Sequence, residues 1–380
     1  QSNQVMTKFP FEPSNTSQNQ LIPRLINSDL NKTLQKEPSL SKTAPNSSIT
    51  QSTKPIPQNS QQSKKFEFQQ TLSWEDKQQQ KITTLNKEEQ IKFCKQLFNL
   101  KPKIQTNFSD IYEYVVSEET NSHQHKISFA VKVVKKYGLD KEIKIHVDRE
   151  IGNLQRLNKP NEKSDQKSDE IMMKKSYIIP LITHFDYEYS KVMIMPYAEK
   201  TITPQILKGL DDNTKYKYML QLLQGVEQMH LINIVHRDIK PDNLVIFNQN
   251  LCIIDLDASK WQKGTQFVSY IGTPLYRAPE MFLDQEYSLK VDVYSVGCVW
   301  YEFLQRKFIN QLLIDMDIQC KNEDAFVQLP QLSLSPNPKD AKFVIYCNKM
   351  MSVEPKDRPT IDDVLKAFDP EVTLYVQNQK

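Results

Sequence analysis

Glycine is scarce in this chain. The sequence has seven glycines in 380 residues, and none lies before Gly138. Glycine lets the backbone come close to a phosphate group because it carries no Cβ. The shortage therefore excludes a glycine-rich phosphate-binding loop from the first 137 residues.

Three further shortages narrow the class of protein. The five cysteines lie far apart and form no Cys-x-x-Cys pair, which favours reduced thiols in an intracellular, cytoplasmic protein. No apolar run approaches the roughly 20 residues that span a bilayer. The net charge of +3 is too small to indicate a nucleic-acid or membrane surface. We therefore expect no nucleic acid and no membrane as a partner.

The first 85 residues are poor in apolar side chains. They are rich in Gln, Asn, Ser, Lys and Pro, and their apolar residues come singly or in small clusters. Such a segment buries too little surface to offset its ordering entropy. We predict a low-complexity tail over residues 1–85 that is disordered unless a partner binds it. Residues 1–80 would then attach the protein to a large assembly, of which the cytoskeleton is one example.

A helix is predicted to lead from this tail into the folded domain, within residues 86–102. Asn86 and Glu89 have the spacing of a capping box, which marks a helix start. Ile91, Cys94, Leu97 and Phe98 then fall on one helical face, and we expect this face to dock on the domain.

The rest of the chain changes from strands to helices. Apolar β-branched and aromatic runs at 111–115 and 129–134 predict strands. An apolar stripe from Met219 to Met229 predicts an amphipathic helix. We therefore predict an α+β fold, with a small antiparallel β lobe that includes one helix and a large, mostly α-helical lobe. The predicted ranges are about 103–195 for the small lobe, about 199–368 for the large lobe, 159–176 for a charged surface insertion and 369–380 for a C-terminal tail.

The strongest chemical motif is the segment His236-Arg237-Asp238-Ile239-Lys240-Pro241-Asp242-Asn243. An Asp and an Asn five residues apart on one loop can serve one site. The carboxylate of Asp238 can orient an attacking hydroxyl, and the amide oxygen of Asn243 can bind a divalent ion. Lys240 adds positive charge where a transferring phosphoryl group gains negative charge.

A second carboxylate follows a short apolar strand. Asp255 comes directly after Ile253-Ile254 and lies twelve residues beyond Asn243. Carboxylate and amide oxygens are ligands that Mg²⁺ accepts. The sequence therefore predicts Asn243 and Asp255 as metal ligands.

Together these residues resemble the eukaryotic protein kinase family. The loop matches the family pattern H-R-D-x-K-x-x-N at every defined position, and Asp255-Leu256-Asp257 resembles D-F-G with Leu for Phe and Asp for Gly. The resemblance implies a bilobal kinase fold over about residues 103–368. It also implies ATP and Mg²⁺ as cofactors and the following catalytic residues: Asp238, Lys240, Asn243 and Lys132.

Further resemblances place the nucleotide. Ala130-Val131-Lys132 resembles the β3 V-A-I-K element, whose Lys holds the α and β phosphates. Glu150, eighteen residues later, resembles the helix Glu that pairs with this Lys, and Glu142 is a competing candidate. Met195-Pro196-Tyr197-Ala198 resembles the gatekeeper and hinge. The resemblance thus implies that the adenine ring lies near Ala130, Met195, Pro196 and Ala198.

The segment Gly272-Thr273-Pro274-Leu275-Tyr276-Arg277-Ala278-Pro279-Glu280 resembles the family's G-T-P-x-Y-x-A-P-E. In the family, a Glu at the position of Glu280 is buried against an Arg, here Arg358. Asp292 resembles the residue whose helix anchors the catalytic loop. These roles are structural.

Control and specificity also follow from the resemblance. Lys240 and Thr273 resemble the serine/threonine-directed branch of the family. Arg237, beside Asp238, implies control by phosphorylation of the activation loop. Ser269, three residues before Gly272, occupies the usual site, and Thr265 and Tyr270 are alternative sites.

The phosphate loop departs from the family. The alignment puts Phe108 at the loop tip and puts Ile104, Thr106 and Ser109 where the family has Gly. Thr106 and Ser109 still offer backbone N–H groups, so we predict that they bind ATP, and that the binding is weakened.

Two hypotheses from different classes stay open. The first is an ATP-dependent serine/threonine protein kinase acting on a protein substrate, favoured because Lys132, Asp238, Asn243 and Asp255 are all present. The second is a catalytically weak or inactive kinase-fold scaffold that its N-terminal tail holds in a large assembly. The missing glycines and Asp257 favour the second.

Overall fold

The computed structural model describes residues 73–119, 124–158, 176–261, 272–283, 286–318, 326–335 and 337–368. Several predictions from the sequence therefore fall outside the described residues. They concern the tail up to residue 72, nearly all of the insertion at 159–176, Ser269, and the segment 369–380.

The described chain is built from nine helices and ten strands. The helices are α1 (Trp74–Thr83), α2 (Lys87–Leu97), α3 (Lys141–Asn158), α4 (Pro204–Gly209), α5 (Asp212–Leu231), α6 (Lys290–Gln305), α7 (Ile309–Asp315), α8 (Pro338–Met350) and α9 (Ile361–Ala367). The strands are β1 (Ile104–Gln105), β2 (Ser109–Glu119), β3 (Gln124–Val134), β4 (Thr183–Tyr187), β5 (Ser190–Pro196), β6 (Lys200–Thr201), β7 (Ile234–Val235), β8 (Leu244–Phe247), β9 (Asn250–Ile253) and β10 (Lys260–Trp261). None of the helices in these ranges is long and apolar enough to cross a membrane.

The small lobe is a five-stranded sheet with the order β1-β2-β3-β5-β4. Every neighbouring pair in it is antiparallel. Helix α3 lies between β3 and β4 in the chain, and the six helices α4 to α9 all follow β5, the last strand of this sheet in the chain. The predicted α+β fold, with a small antiparallel lobe and a large helical lobe, is confirmed.

Helix α1 lies inside the range that we predicted to be a disordered tail, so the folded region starts earlier than residue 86. Ser73 caps α1 by accepting a hydrogen bond from the N–H of Asp76 at 3.0 Å. The Trp74 ring stacks on His125 with the ring centres 5.3 Å apart, and Ile82 is buried. The Trp74 ring and the Ile82 side chain therefore attach α1 to the small lobe, although the composition of this segment is polar.

Helix α2 has the predicted capping box, in which Asn86 and Glu89 each bind the other's backbone N–H. It packs on β4. Its residues Cys94 and Leu97 are fully buried, in a cluster that includes Phe185 from β4 and Phe129 from β3. The two N-terminal helices thus share the hydrophobic core of the small lobe.

Replacing Leu97 is therefore expected to destabilise the small lobe. Leu97→Ala should lower the free energy of unfolding by roughly 3 kcal/mol, because it removes buried methyl groups and leaves a cavity. Ile91→Ala on the same helix is the matched control, since the Ile91 side chain is 37% exposed; its cost should be below about 0.5 kcal/mol. Urea denaturation of both variants measures the difference. Equal losses would mean that α2 is not part of this core.

The large lobe is organised around α5 and α6. The Trp300 indole of α6 donates a hydrogen bond to the Met219 carbonyl of α5 at 3.0 Å. On its other side α5 meets β9 at Gly225, where an added Cβ would lie 2.8 Å from the Cδ1 atom of Ile253. Glycine here lets helix and hairpin approach closely. The Gln221 side chain of α5 also accepts a hydrogen bond from the Leu251 N–H at 2.8 Å, so α5 fixes the β8–β9 hairpin.

Candidate active site

The β8–β9 hairpin brings two predicted metal ligands together. Asn243 directly precedes β8, and Asp255 lies two residues after the end of β9. The first residue of β8, Leu244, pairs with the last residue of β9, Ile253. Beyond this pair the Ile254 N–H donates to the Asn243 carbonyl at 3.0 Å. Residues 243 and 255 therefore emerge at the same end of the hairpin.

Lys132 connects this hairpin to the small lobe. Its ammonium group lies 2.9 Å from both carboxylate oxygens of Glu150 and 3.3 Å from Asp255. The Lys132 side chain is only 14% exposed. Burial opposes the charge of Lys132, but the carboxylates of Glu150 and Asp255 outweigh burial and raise its pKa. The structure therefore selects Glu150, and not Glu142, as the partner of this lysine.

Asp238 lies at the centre of a second polar cluster. Its Oδ1 accepts hydrogen bonds from the Thr273 N–H at 2.8 Å and from the Thr273 hydroxyl at 2.7 Å. Its Oδ2 lies 2.8 Å from the Lys240 ammonium and 3.1 Å from the Asn243 amide nitrogen. Burial opposes ionisation of Asp238, but the bonds from Lys240 and Thr273 outweigh it and lower the pKa of the carboxyl. Asp238 is thus a carboxylate at neutral pH.

Asp292 of α6 holds the backbone of this loop, as predicted from the resemblance. The fully buried carboxylate of Asp292 accepts the N–H groups of His236 and Arg237, both at 2.8 Å. It also lies 2.9 Å from the His230 ring. Burial opposes its ionisation, but the bond and charge of His230 and the charge of His236 lower the pKa of Asp292.

Gly272 lets the segment that carries Thr273 lie against the same loop. Its φ is +91°, and a Cβ at this position would be 2.3 Å from the Arg237 carbonyl oxygen. A side chain would be strained by the φ angle and blocked by the carbonyl. Glycine is therefore required here to bring Thr273 within reach of Asp238 and Lys240, whose ammonium donates to the Thr273 hydroxyl at 2.7 Å.

The end of this segment is fixed by a buried ion pair. Arg358 makes two parallel hydrogen bonds of 2.7 Å to the carboxylate oxygens of Glu280. Arg358 is 2% exposed and Glu280 is 5% exposed. The two residues lie together as the family resemblance implied, although 78 positions separate them.

Glu302 belongs to this region but was not found from the sequence. Its Oε1 accepts hydrogen bonds from the Tyr276 hydroxyl and the Ile309 N–H, both at 2.7 Å. Its Oε2 is buried and has no hydrogen-bond partner in the described chain. Burial raises the pKa of Glu302 from 4.5 to about 8. No local pattern marks this residue, because it lies in an apolar helix whose burial depends on the whole lobe.

The raised pKa predicts a pH-dependent stability. The folded protein favours the neutral carboxyl of Glu302. The contribution of Glu302 to folding stability is therefore fully present below pH 4.5 and is lost as the pH rises towards 8. Over that range the free energy of unfolding falls by about 1.4 kcal/mol per pH unit. Glu302→Gln keeps a neutral acceptor for Tyr276, so its unfolding free energy should fall less than that of the wild type between pH 5 and 8. Denaturation at several pH values measures this, and parallel profiles would contradict it.

The predicted adenine residues line the junction of β3 and β5. Ala130 is directly opposite Met195 in the antiparallel register, and Phe129 is opposite Pro196. Ala130, Met195, Pro196 and Ala198 are all half-buried. Ala130 of β3 is therefore brought beside Met195 of β5, and Met195, Pro196 and Ala198 lie on the chain that leads from the small lobe to the large lobe.

The remaining predicted residues lie in three different places. Thr106 and Ser109 belong to the tight turn between β1 and β2. Asp257 is directed to α3, where its carboxylate lies 3.6 Å from the His146 ring. Arg237 donates to the Ala258 carbonyl at 2.7 Å and to the Tyr287 hydroxyl at 3.1 Å. The contact between Asp257 and His146 is a further feature that the sequence did not predict.

Asn243 and Asp255 together offer oxygen ligands that fit a magnesium ion. The described residues contain no cluster of three or more His, Cys, Asp or Glu side chains suited to a metal. The Asn243 amide nitrogen is bound to the Asp238 carbonyl at 2.8 Å, so the Asn243 amide oxygen is the atom that can face a cation. Two protein oxygens with substrate phosphates are a usual set of ligands for Mg²⁺.

Comparison with known proteins agrees with this geometry. A family model described as "Protein kinase domain" matches residues 107–368. Mitogen-activated protein kinase 13 of Arabidopsis thaliana is 32% identical over 189 residues, which cover 41% of this chain and 50% of that protein. Mitogen-activated protein kinase 7 of the same plant is 33% identical over 185 residues, covering 44% and 49%. Mitogen-activated protein kinase 3 is 29% identical over 234 residues, covering 49% and 63%. The chain thus spans about half the length of the curated relatives it matches.

Proposed function

This chain belongs to the protein kinase family, and we propose that it transfers the γ-phosphoryl group of ATP to a serine or threonine hydroxyl of a protein substrate. One observation carries the proposal. Lys132 contacts both oxygens of buried Glu150 and lies 3.3 Å from Asp255. A protein kinase needs the Lys–Glu pair and the metal-binding Asp in place at the same time.

Lys132 and the hinge residues would bind ATP. The ammonium of Lys132 stays charged beside two carboxylates and can hold the α and β phosphates. The adenine ring would lie against Ala130 and Met195, with backbone contacts from Pro196 and Ala198. The half-burial of these residues supports a partly enclosed adenine site.

Asp238 would orient the attacking hydroxyl. Its lowered pKa keeps it able to accept the hydroxyl hydrogen at neutral pH. Lys240 bridges Asp238 and Thr273 at 2.8 and 2.7 Å, which holds a positive charge where the transferred group gains negative charge. Holding both reactants in this geometry accounts for much of the rate enhancement in phosphoryl transfer.

Asn243 and Asp255 would hold Mg²⁺. When bound, the ion offsets the negative charge of the phosphates. The Asp255 carboxyl is suited to this role because the charges of Lys132 and His236 outweigh the effect of burial and lower its pKa. Asp255 has a φ of 63°, a conformation that only a few non-glycine residues adopt.

Specificity for serine or threonine is supported by the bond between Lys240 and Thr273, the two residues that resemble that branch. Phosphorylation of Ser269 stays a prediction, since Ser269 lies outside the described residues. The comparisons give no support to attachment of residues 1–80 to a large or cytoskeletal assembly. The scaffold hypothesis is therefore not favoured.

The direct test is transfer of labelled phosphate from Mg-ATP to a generic protein substrate and to the chain itself. We expect transfer to serine or threonine by the wild type and loss of transfer in Asp238→Asn. Absence of transfer in both proteins, with no change in melting temperature on addition of Mg-ATP, would overturn the proposed enzyme.

A further inference from the structure

The turn between β1 and β2, residues 106–109, is closed by hydrogen bonds to the side chain of Thr106. The Thr106 hydroxyl oxygen accepts the N–H of Ser109 at 2.9 Å and the N–H of Phe108 at 3.2 Å. The same hydroxyl donates to the Ser109 carbonyl at 3.0 Å. That carbonyl also accepts the Thr106 N–H at 2.9 Å. The backbone donors of three of the four turn residues are thus used inside the turn.

These donors are the groups that a phosphate would need. Successive backbone N–H groups in a turn form a concave site for an anion. In this turn a hydroxyl oxygen takes the place at which a phosphate oxygen would accept the N–H groups of Phe108 and Ser109. An ATP phosphate must therefore displace the Thr106 hydroxyl before it can use them.

The turn does not need glycine for its own geometry. None of the residues 104–109 has a positive φ angle, so each can carry a side chain without backbone strain. This explains how the turn folds with Thr106 and Ser109 at positions where glycine was expected. Thr106, which stands in place of a glycine, also supplies the hydroxyl that closes the turn.

Lys135, the residue that follows β3, holds the closed turn through three contacts. Its backbone N–H donates to the Phe108 carbonyl at 2.8 Å, and its ammonium donates to the Thr106 carbonyl at 2.9 Å. The ammonium also lies 2.7 Å from the Asp110 carboxylate. One residue therefore contacts the beginning, the tip and the end of the turn, which opposes its spontaneous opening.

We propose that Thr106 is a positioning residue that keeps the β1–β2 turn closed and thereby weakens ATP binding. The inference rests on the proposed function, because it concerns the phosphates of the same ATP. Removing the hydroxyl releases two backbone donors to the nucleotide. Because two released N–H groups can bind a charged phosphate, Thr106→Ala should bind ATP more tightly than the wild type.

The test is the dissociation constant of Mg-ATP, measured by calorimetry on the full chain. Thr106→Ala should lower this constant roughly tenfold. Thr106→Ser keeps the oxygen and should return the constant to near the wild-type value. Asn107→Ala is a matched control in the same turn, because the Asn107 side chain is exposed and makes no hydrogen bond within the turn. This substitution should leave the dissociation constant unchanged.

Kinetics give a second readout. Release of the turn should lower KM for ATP in Thr106→Ala more than it changes kcat, because the released groups contribute to binding. A purely structural role would instead lower the melting temperature and weaken binding. Equal or weaker ATP binding by Thr106→Ala, at unchanged folding, would overturn this inference alone. Absence of ATP binding in the wild type and all three variants would overturn the proposed function together with it.

Discussion

Asp238→Asn is expected to lower kcat for phosphoryl transfer roughly a thousandfold while the protein stays folded. The carboxylate is held by Lys240 on one oxygen and by Thr273 on the other. An amide at this position can still accept the Thr273 N–H, but it cannot accept a proton from the substrate hydroxyl. Chemistry should therefore be lost with little change in ATP affinity.

Single-turnover kinetics measure the rate of the chemical step, and calorimetry with Mg-ATP measures the affinity for ATP. The two measurements together separate these effects. Asp242→Asn is the matched control, because it removes a carboxylate of the same loop that is exposed and has no proposed contact with the substrate. We expect Asp242→Asn to keep a rate close to that of the wild type, because it leaves the contacts of Asp238 with Lys240 and Thr273 in place. If both substitutions lowered the rate equally, loss of charge near the loop would explain the effect, and Asp238 would lose its proposed role.

Arg358→Ala is expected to cost about 3–5 kcal/mol of folding stability. The guanidinium makes two bonds of 2.7 Å to Glu280 and also donates to the Ser352 carbonyl at 2.7 Å and to the Val353 carbonyl at 2.8 Å. Truncation leaves the Glu280 carboxylate buried without its cation and removes a donor from three carbonyls, those of Ser352, Val353 and Lys290. The penalty of an uncompensated buried charge is the main reason for the size of the effect.

Urea denaturation of four variants tests this explanation: Arg358→Ala, Glu280→Gln, the double variant and the control Lys366→Ala. Lys366→Ala removes a surface ion pair with Asp362, in which the lysine side chain is 72% exposed; it should cost less than about 1 kcal/mol. The double variant Arg358→Ala with Glu280→Gln should recover part of the loss, since no charge is then left buried. If the double variant lost the sum of both single effects, the buried carboxylate would not be the cause.

Much of the site follows from short segments of sequence. Asp238, Lys240 and Asn243 lie on one loop, so their spacing along the chain almost fixes their distances in space. The strand that carries Lys132 was predictable because apolar, mostly β-branched residues flank the lysine on both sides. The strand that precedes Asp255 was predictable from the apolar run before the carboxylate. The pairing of Lys132 with Glu150, and of Glu280 with Arg358, was expected from the family resemblance and not from chain geometry.

Other features were missed because they depend on contacts between distant segments. Glu302 is buried by the packing of the large lobe, and its hydroxyl donor, Tyr276, is 26 residues away. The contact of Asp257 with His146 joins two lobes. Helix α1 folds because Trp74 and Ile82 find surfaces on the small lobe, and its own composition gave no sign of them.

The sequence by itself determined the family, the two-lobed α+β fold and the identity of the candidate catalytic residues, because these depend on local patterns and on residue types that the chemistry requires. The missing glycines were also evident from sequence alone. Only the tertiary structure decided what their absence means. It placed the Thr106 hydroxyl on the N–H groups of its own turn and Lys135 in contact with that turn, and hydrogen bonds of this kind depend on where β1, β2 and β3 meet.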